Sequence, residues 1–256
     1  MTPPPALRLT LVQTDLAWND PIANRARLTK TLAPLAGRTD LVLLPEMFTT
    51  GFSMAVADHA EDHPGPTLDW LRERAAQLGA ALVGSVMVRD GADYRNRCYF
   101  VRPDGRVQHY DKHYLFRLSG EDRHYTAGVR RLVVDYRGWR ICPLVCFDLR
   151  FPEWSRNDPA APFDLLLYVA SWPAARARDW RTLLAARAIE NQCYVAAVNR
   201  VGEDGAGLSY RGDSRVIDPG PRGVLVELAS VEAVTTVELD LAGARELRER
   251  LPFLGV

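Results

Sequence analysis

Leu144-Val-Cys-Phe-Asp-Leu-Arg-Phe-Pro-Glu-Trp154 is the stretch on which the reading of this chain turns. An apolar run that begins at Ile141 leads straight into Cys146, after which the sequence turns polar and meets Pro152. Such a run, cut short by polar residues and a proline, reads as a buried strand that stops at a turn. A thiol at the end of a buried strand is held rigidly and can still be reached, which suits a nucleophile. The competing reading is a core cysteine, since free cysteine is among the most buried residue types. The segment alone leaves both open.

Working outward, Leu132 to Val145 holds two apolar runs around Tyr136-Arg-Gly138. Tyr94 to Tyr110 holds two more around Pro103-Asp104-Gly105, a hairpin signal. Downstream, Phe163 to Ala170 reads as a buried strand, Arg176 to Asn191 as a long helix, and Gln192 to Val198 as a strand. Nearer the start, Leu7 to Val12 is a first strand. Asn19-Asp20-Pro21 opens a helix over Ile22 to Ala36, closed by Gly37. Asp40-Leu-Val-Leu-Leu-Pro45 and Ala80 to Val88 are strand-like, and Pro66 to Leu78 is an amphipathic helix ended by Gly79. Arg215 to Leu239 contains three short runs, and Leu241 to Leu251 is a terminal helix. Strands and helices are interleaved, with no linker or repeat between them. The expectation is one α/β domain over residues 1–256, its sheets mixed because hairpins recur.

Composition narrows the function classes. Lys plus Arg and Asp plus Glu are both 32, so no basic excess is available to bind nucleic acid or an anionic membrane. The four cysteines, Cys98, Cys142, Cys146 and Cys193, are irregularly spaced in a chain of 256 residues, which is no disulfide framework. Met1-Thr-Pro-Pro-Pro-Ala6 lacks the basic and apolar regions of a signal peptide. No apolar run approaches the roughly 18 residues of a membrane span. A reducing cytoplasm, which would keep Cys146 a thiol, is the expected location. Cys142 and Cys146 are four apart, but no second Cys or His pair completes a zinc set, so no metal is expected. His109, His113 and His124 lie near Lys112 in sequence, yet lone histidines of this kind are usually structural. No phosphate-binding glycine motif is present, so no nucleotide cofactor is expected.

Three places share one format, a strand-like run followed at once by a reactive side chain. They are Leu41-Val-Leu-Leu-Pro-Glu46, Val107-Gln-His-Tyr-Asp-Lys112 and the run into Cys146. In α/β sheets, ligands bind beyond the carboxyl ends of the strands, so the three fit one pocket. They also fit one another chemically. A thiol with a reference pKa of about 8.5 needs help to attack at neutral pH. A carboxylate such as Glu46 can take its proton. The Lys112 ammonium can lower the thiol pKa and hold an oxyanion, with the Phe147 N–H beside the nucleophile as a further donor.

Pro45-Glu46, Tyr110-Asp-Lys112 and Val145-Cys-Phe-Asp-Leu-Arg-Phe-Pro152 together resemble the three signature blocks of the nitrilase superfamily, in order and across nearly the whole chain. The resemblance implies a four-layer αββα sandwich and hydrolysis of a non-peptide carbon–nitrogen bond without a cofactor. It implies Glu46 as base, Lys112 as oxyanion and positioning residue, and Cys146 as nucleophile. Glu121, in Ser119-Gly-Glu-Asp-Arg123, matches a further family glutamate that would keep Lys112 charged and help position the attacking water. Asp111-Lys-His-Tyr-Leu-Phe116, Tyr168-Val-Ala-Ser-Trp-Pro173, Ala186-Arg-Ala-Ile-Glu-Asn-Gln192 and Tyr210-Arg-Gly-Asp-Ser214 are similar to the omega-amidase branch. That likeness implies 2-oxo dicarboxylic acid monoamides (2-oxoglutaramate, 2-oxosuccinamate) as substrates. The superfamily also implies a homodimer or larger homo-oligomer.

A substrate pocket then needs walls and a cation. Trp172, just after the strand ending at Ala170, and Phe48, Phe52 and Phe116 are the expected walls. An arginine fork suits an α-carboxylate, and Arg117, Arg150 and Arg176 lie near the strand ends. Arg150 is expected to be structural, which leaves Arg117 and Arg176. The rival readings are another amidohydrolase of the superfamily, acting on N-carbamoyl compounds or nitriles, a Cys142–Cys146 redox protein, and a non-catalytic binding module.

Overall fold

A computed structural model describes residues 6–255. The first half runs β1 (Leu7–Gln13), α1 (Pro21–Leu32), β2 (Leu41–Leu43), α2 (Val56–His59), β3 (Glu61–Asp62), α3 (Pro66–Leu78), β4 (Ala81–Asp90), β5 (Asp93–Val101) and β6 (Val107–Asp111). The middle holds β7 (Val134–Tyr136), β8 (Trp139–Val145), α4 (Pro152–Ser155), β9 (Leu165–Ala170), α5 (Ala177–Asn191) and β10 (Tyr194–Asn199). The chain closes with β11 (Val201–Glu203), β12 (Ser209–Arg211), β13 (Arg215–Ile217), β14 (Val224–Glu227), β15 (Ala233–Leu239) and α6 (Leu241–Arg250).

One sheet has the order β15-β1-β2-β4-β5-β6, with β3 on β4, and the other has β14-β13-β10-β9-β8-β7. Each has a parallel centre and antiparallel flanks: β1, β2 and β4 are parallel, as are β8, β9 and β10. The sheets are mixed, as the hairpin signals require.

Alternation along the strands sorts the layers, because successive side chains point to opposite faces. Leu9, Leu11, Leu41, Leu43, Val83 and Phe100 join the core shared with the second sheet. Their neighbours Val42, Leu82, Val86 and Val101 instead pack with Leu28 and Leu32 of α1 and with Leu68, Leu71 and Ala75 of α3. Trp180, Leu184 and Ala188 of α5 belong to the core that contains the second sheet. The layers are therefore α, β, β, α. Each fully buried Leu or Val is worth roughly 1.5–3 kcal/mol against exposure, so both faces of the first sheet are strongly specified.

Helix ends follow local chemistry. Asp20 caps α1 by accepting from the Ala23 N–H at 2.9 Å, and Pro21 sits where its missing N–H costs nothing. The sequence places that helix through Ala36, but α1 stops at Leu32 and a single tighter turn, Ala33–Leu35, follows. Pro34 has no N–H to continue the helix. Gly79 ends α3 at φ 67°, a left-handed position that glycine adopts without strain.

The topology also gathers strand ends. β6 is antiparallel to β5, which is antiparallel to β4, so β2, β4 and β6 all point the same way. Their carboxyl ends, with those of β8 and β9, carry the candidate residues. Among the described residues, no helix is long and apolar enough to cross a membrane. The expectation for Met1 to Pro5 lies outside the described residues.

One expected pocket wall is corrected here. Phe48 is fully buried in the outer layer, its ring 5.8 Å from that of Trp70. Gly84 of β4 leaves the room: a Cβ there would sit 2.8 Å from the Phe48 ring and 2.9 Å from the Leu44 Cβ. Gly84→Ala is expected to destabilise the fold by about 1–3 kcal/mol through overpacking, read as a lowered denaturation midpoint at unchanged m-value.

Candidate active site

Cys146 follows β8 and begins a short 3-10 turn, Cys146–Arg150. Its φ is 43°, in the left-handed region that a non-glycine residue seldom occupies. That strain persists because the turn is tied down on both sides. Buried Asp148 accepts from the Val145 N–H at 2.9 Å, from the Tyr110 hydroxyl at 2.8 Å and from the Tyr114 N–H at 2.9 Å. The Tyr110 hydroxyl in turn accepts from the Trp154 indole N–H at 2.9 Å. Asp148 thus joins the Cys146 turn to the segment just after Lys112. The opening N–H groups of a helical turn have no partner inside it, which leaves the Phe147 N–H available to a ligand.

The other ends converge on a buried cluster. Glu46 and Lys112 side chains are wholly inaccessible, and so is Glu121. Lys112 donates to Glu46 at 2.9 Å and to both oxygens of Glu121 at 3.0 and 2.9 Å. The second Glu46 oxygen accepts the Ser171 N–H from the end of β9 at 2.9 Å, so this carboxylate spans the two sheets. Glu121 also accepts the Phe116 N–H at 2.5 Å. Asn96 of β5 donates to Glu46 at 2.8 Å and to Glu121 at 3.3 Å.

The protonation states follow from these contacts. Burial by itself pushes the Lys112 ammonium down, but the facing Glu121 and Glu46 carboxylates more than offset this and hold it charged. Burial and the nearby Glu46 charge push the Glu121 carboxyl up against the pull of Lys112. The Cys146 thiol is pushed well above its usual range, by burial first and then by the Glu46 charge; Lys112 pulls the other way. The expected lowering by Lys112 is present and is outweighed. The resting group is a neutral thiol beside a carboxylate.

Comparison with known proteins shows the family. Residues 8–249 match the carbon-nitrogen hydrolase family. The chain belongs to that family. The omega-amidase YafV of Escherichia coli strain K12 is 48% identical, over 97% of this chain and 95% of that protein. A 2-oxoglutaramate amidase of Bacillus subtilis strain 168 is 34% identical, over 95% of each. A solved CN-hydrolase superfamily protein from Xanthomonas campestris, carrying an arsenic adduct in its active site, is 51% identical with a TM-score of 0.95, over 98% of this chain and 96% of that one.

In this carbon-nitrogen hydrolase a cavity of about 300 Å³ opens above the cluster, with Lys112, Cys146 and Ser171 among its lining. Phe52, Phe116 and Trp172 line it, joined by Tyr210 and Trp18. The Phe52 ring centroid lies 5.0 Å from the Lys112 ammonium. Trp172 is pinned by Asn199, which accepts its N–H at 2.7 Å and donates to its carbonyl at 3.0 Å.

The arginines fall differently from the expectation. Arg117 is 85% exposed, 3.8 Å from Asp122 and outside the cavity lining, because the turn at Arg117–Ser119 directs it away from its neighbour Phe116. Arg150, expected to be structural, lines the cavity, stacked 5.2 Å over Trp172 and paired with Asp179 at 2.5 Å. Arg176 lines it too, 5.0 Å over the Phe116 ring, and has no ion pair among the described residues. His109, His113 and His124 lie outside the cavity lining. Cys142 is fully buried and its thiol is pushed up to about 12 by burial, which disfavours thiolate exchange with Cys146. Among the described residues no group of three or more His, Cys, Asp or Glu side chains is arranged to hold a metal.

Sequence reasoning missed Asn96, Asp148 and Asn199 as parts of the site. Asp148 lies inside the quoted segment, and its signal was a lone acid two residues beyond the nucleophile. Asn96, flanked by Arg95 and Arg97 in the polar first half of β5, carried no such signal, and Asn199 was signalled by an amide at a strand end.

Burial raises Asp148 from 3.8 to about 6 despite its three donors. Between about pH 4 and pH 6 the folded protein holds a proton there that the unfolded chain has released. This group's contribution to stability therefore falls as pH rises through that window, by on the order of 3 kcal/mol. Asp148→Asn is expected to flatten that part of the stability–pH curve. It also sets an NH2 against N–H donors, so kcat is expected to drop by about tenfold or more at neutral pH. Denaturation across pH and steady-state kinetics check both.

Proposed function

We propose that this hydrolase is an omega-amidase, releasing ammonia from the side-chain amide of 2-oxo dicarboxylic acid monoamides such as 2-oxoglutaramate and 2-oxosuccinamate. The observation that carries the reading is the Arg176 guanidinium, without an ion pair among the described residues, in a largely apolar cavity that also exposes Cys146 and Lys112. A dicarboxylic monoamide needs one cation at its far end and a nucleophile at its amide end, and the cavity offers both. The YafV and 2-oxoglutaramate amidase relatives support the same substrate class.

In the proposed mechanism, Glu46 takes the thiol proton as the Cys146 sulfur adds to the amide carbon. The oxyanion is held by the Lys112 ammonium and the Phe147 N–H. The carbon–nitrogen bond then breaks, and Glu46 returns the proton to the departing nitrogen as ammonia. Water, deprotonated by Glu46, adds to the thioester; the carbon–sulfur bond breaks and the thiolate regains its proton. Both Glu121 oxygens are engaged by Lys112, Asn96 and the Phe116 N–H, so its role is to hold Lys112 in place rather than to position water. Arg176 binds the α-carboxylate, with Arg150 beside it. No cofactor takes part. The reading includes one hydrolase domain, a cytoplasmic location where a reducing medium preserves the thiol, and assembly as a homodimer or larger homo-oligomer.

Ammonia release is expected from 2-oxoglutaramate and 2-oxosuccinamate, with kcat/KM well above that for N-carbamoyl compounds or nitriles. The reverse order would replace the omega-amidase reading with one of those activities, and no turnover on any amide would favour a binding module. Cys146→Ala is expected to lower kcat by about 10⁴-fold or more; intact turnover would refute the mechanism. Arg176→Met is expected to raise KM for 2-oxoglutaramate by about tenfold or more, while leaving a simple aliphatic amide unaffected. Equal effects on both substrates would remove Arg176 from carboxylate binding.

A further inference from the structure

Asn96 occupies an unusual place for an uncharged side chain. It lies in the middle of β5, 1% exposed, with its side-chain nitrogen between the two buried carboxylates. That nitrogen donates to the same two oxygens, Glu46 Oε1 and Glu121 Oε1, that Lys112 bridges. The Asn96 carbonyl also accepts the Lys112 backbone N–H at 3.0 Å. The side-chain oxygen is buried and has no partner among the described residues. Exchanging the amide's oxygen and nitrogen would set an oxygen 2.8 Å from a carboxylate oxygen, so repulsion fixes the orientation. Leaving a buried acceptor unpaired costs stability, and the gain lies on the donor side.

The surrounding charges show what that donor does. Glu46 is faced by Lys112 from the end of β6, by Glu121 from its own turn and by Cys146 from the nucleophile turn. The buried, uncharged Tyr125, Tyr210 and Cys98 also lie within its field. Two carboxylates therefore share one ammonium in a dry site. Buried acids so placed tend to hold one proton between them. A proton resting on Glu46 would block its taking another from Cys146.

We propose that Asn96 is a positioning residue that keeps Glu46 free as a proton acceptor, by giving both carboxylates a second N–H donor that carries no titratable proton. The inference rests on Glu46 being the base for Cys146.

The test is the rate of Cys146 alkylation by iodoacetamide in the full-length protein, followed by intact mass from mildly acid to mildly alkaline pH. It needs no assumption about the substrate. In Asn96→Ala the acid limb of the rate profile is expected to move up by about one pH unit, the scale of one hydrogen bond to a charged group. Asn96→Asp keeps the shape but adds a third carboxylate, and at neutral pH it is expected to react about tenfold more slowly than Asn96→Ala. A residue that only fills space predicts the opposite order, with Asp milder than Ala. Superimposed acid limbs for wild type and Asn96→Ala, or faster alkylation of Asn96→Asp than of Asn96→Ala, would overturn the proposal. If Asn96→Asp does not fold, judged by circular dichroism, the limb of Asn96→Ala decides alone. Glu46→Gln separates the two levels. If it leaves the wild-type profile unmoved, the base assignment fails as well.

Discussion

The Lys112 ammonium, buried between the Glu46 and Glu121 carboxylates, is the interaction on which the rest of this molecule depends. None of the three charges would be stable alone in a dry interior. Together they carry one excess negative charge, and every carboxylate oxygen among them has a donor from Lys112, Asn96, Ser171 or Phe116. Those donors come from the ends of β6 and β9, the middle of β5 and the loop after β6. The two-sheet architecture is what brings such distant segments to one point, and the aromatic walls above the cluster keep water from competing with it.

This charge arrangement also sets how the thiol works. Some enzymes store a preformed thiolate by surrounding it with positive charge. Here Glu46 lies next to Cys146 and burial favours the uncharged form, so the sulfur rests protonated. The cluster is built to move a proton at the moment of attack. A neutral thiol is also less prone to oxidation than a thiolate held at rest.

Much of this was legible in the sequence. Glu46, Lys112 and Cys146 each stand one to three residues beyond a strand, an apolar one for Glu46 and Cys146, and strand direction is enough to place them together. Glu121 is different: an acid in a polar loop carries no physical mark of burial, and only the family likeness singled it out. Asn96 escaped notice because the middle of a strand is normally read for its apolar face. The arginines show another limit. Arg117 and Arg176 both lie on short 3-10 turns or at their ends, where a one-residue difference in phase decides between solvent and cavity. Phe48 was misplaced for a similar reason. Met47, at φ 45°, reverses the chain just before it, and Gly84 offers the ring a space that a single sequence does not announce.

The hydrogen bond from the Ser171 N–H to Glu46 joins a loop of one sheet to a side chain of the other. The separation of facing sheets, on the order of 10 Å, therefore acts as a ruler for the chemistry. Side chains outside the cavity lining, such as Leu43, Phe100 and Ile141 in the shared core, set that separation through their volume. A change in any of them that shifts one sheet against the other alters the proton-transfer distance while the fold survives. In this enzyme, the thickness of the core is a catalytic dimension.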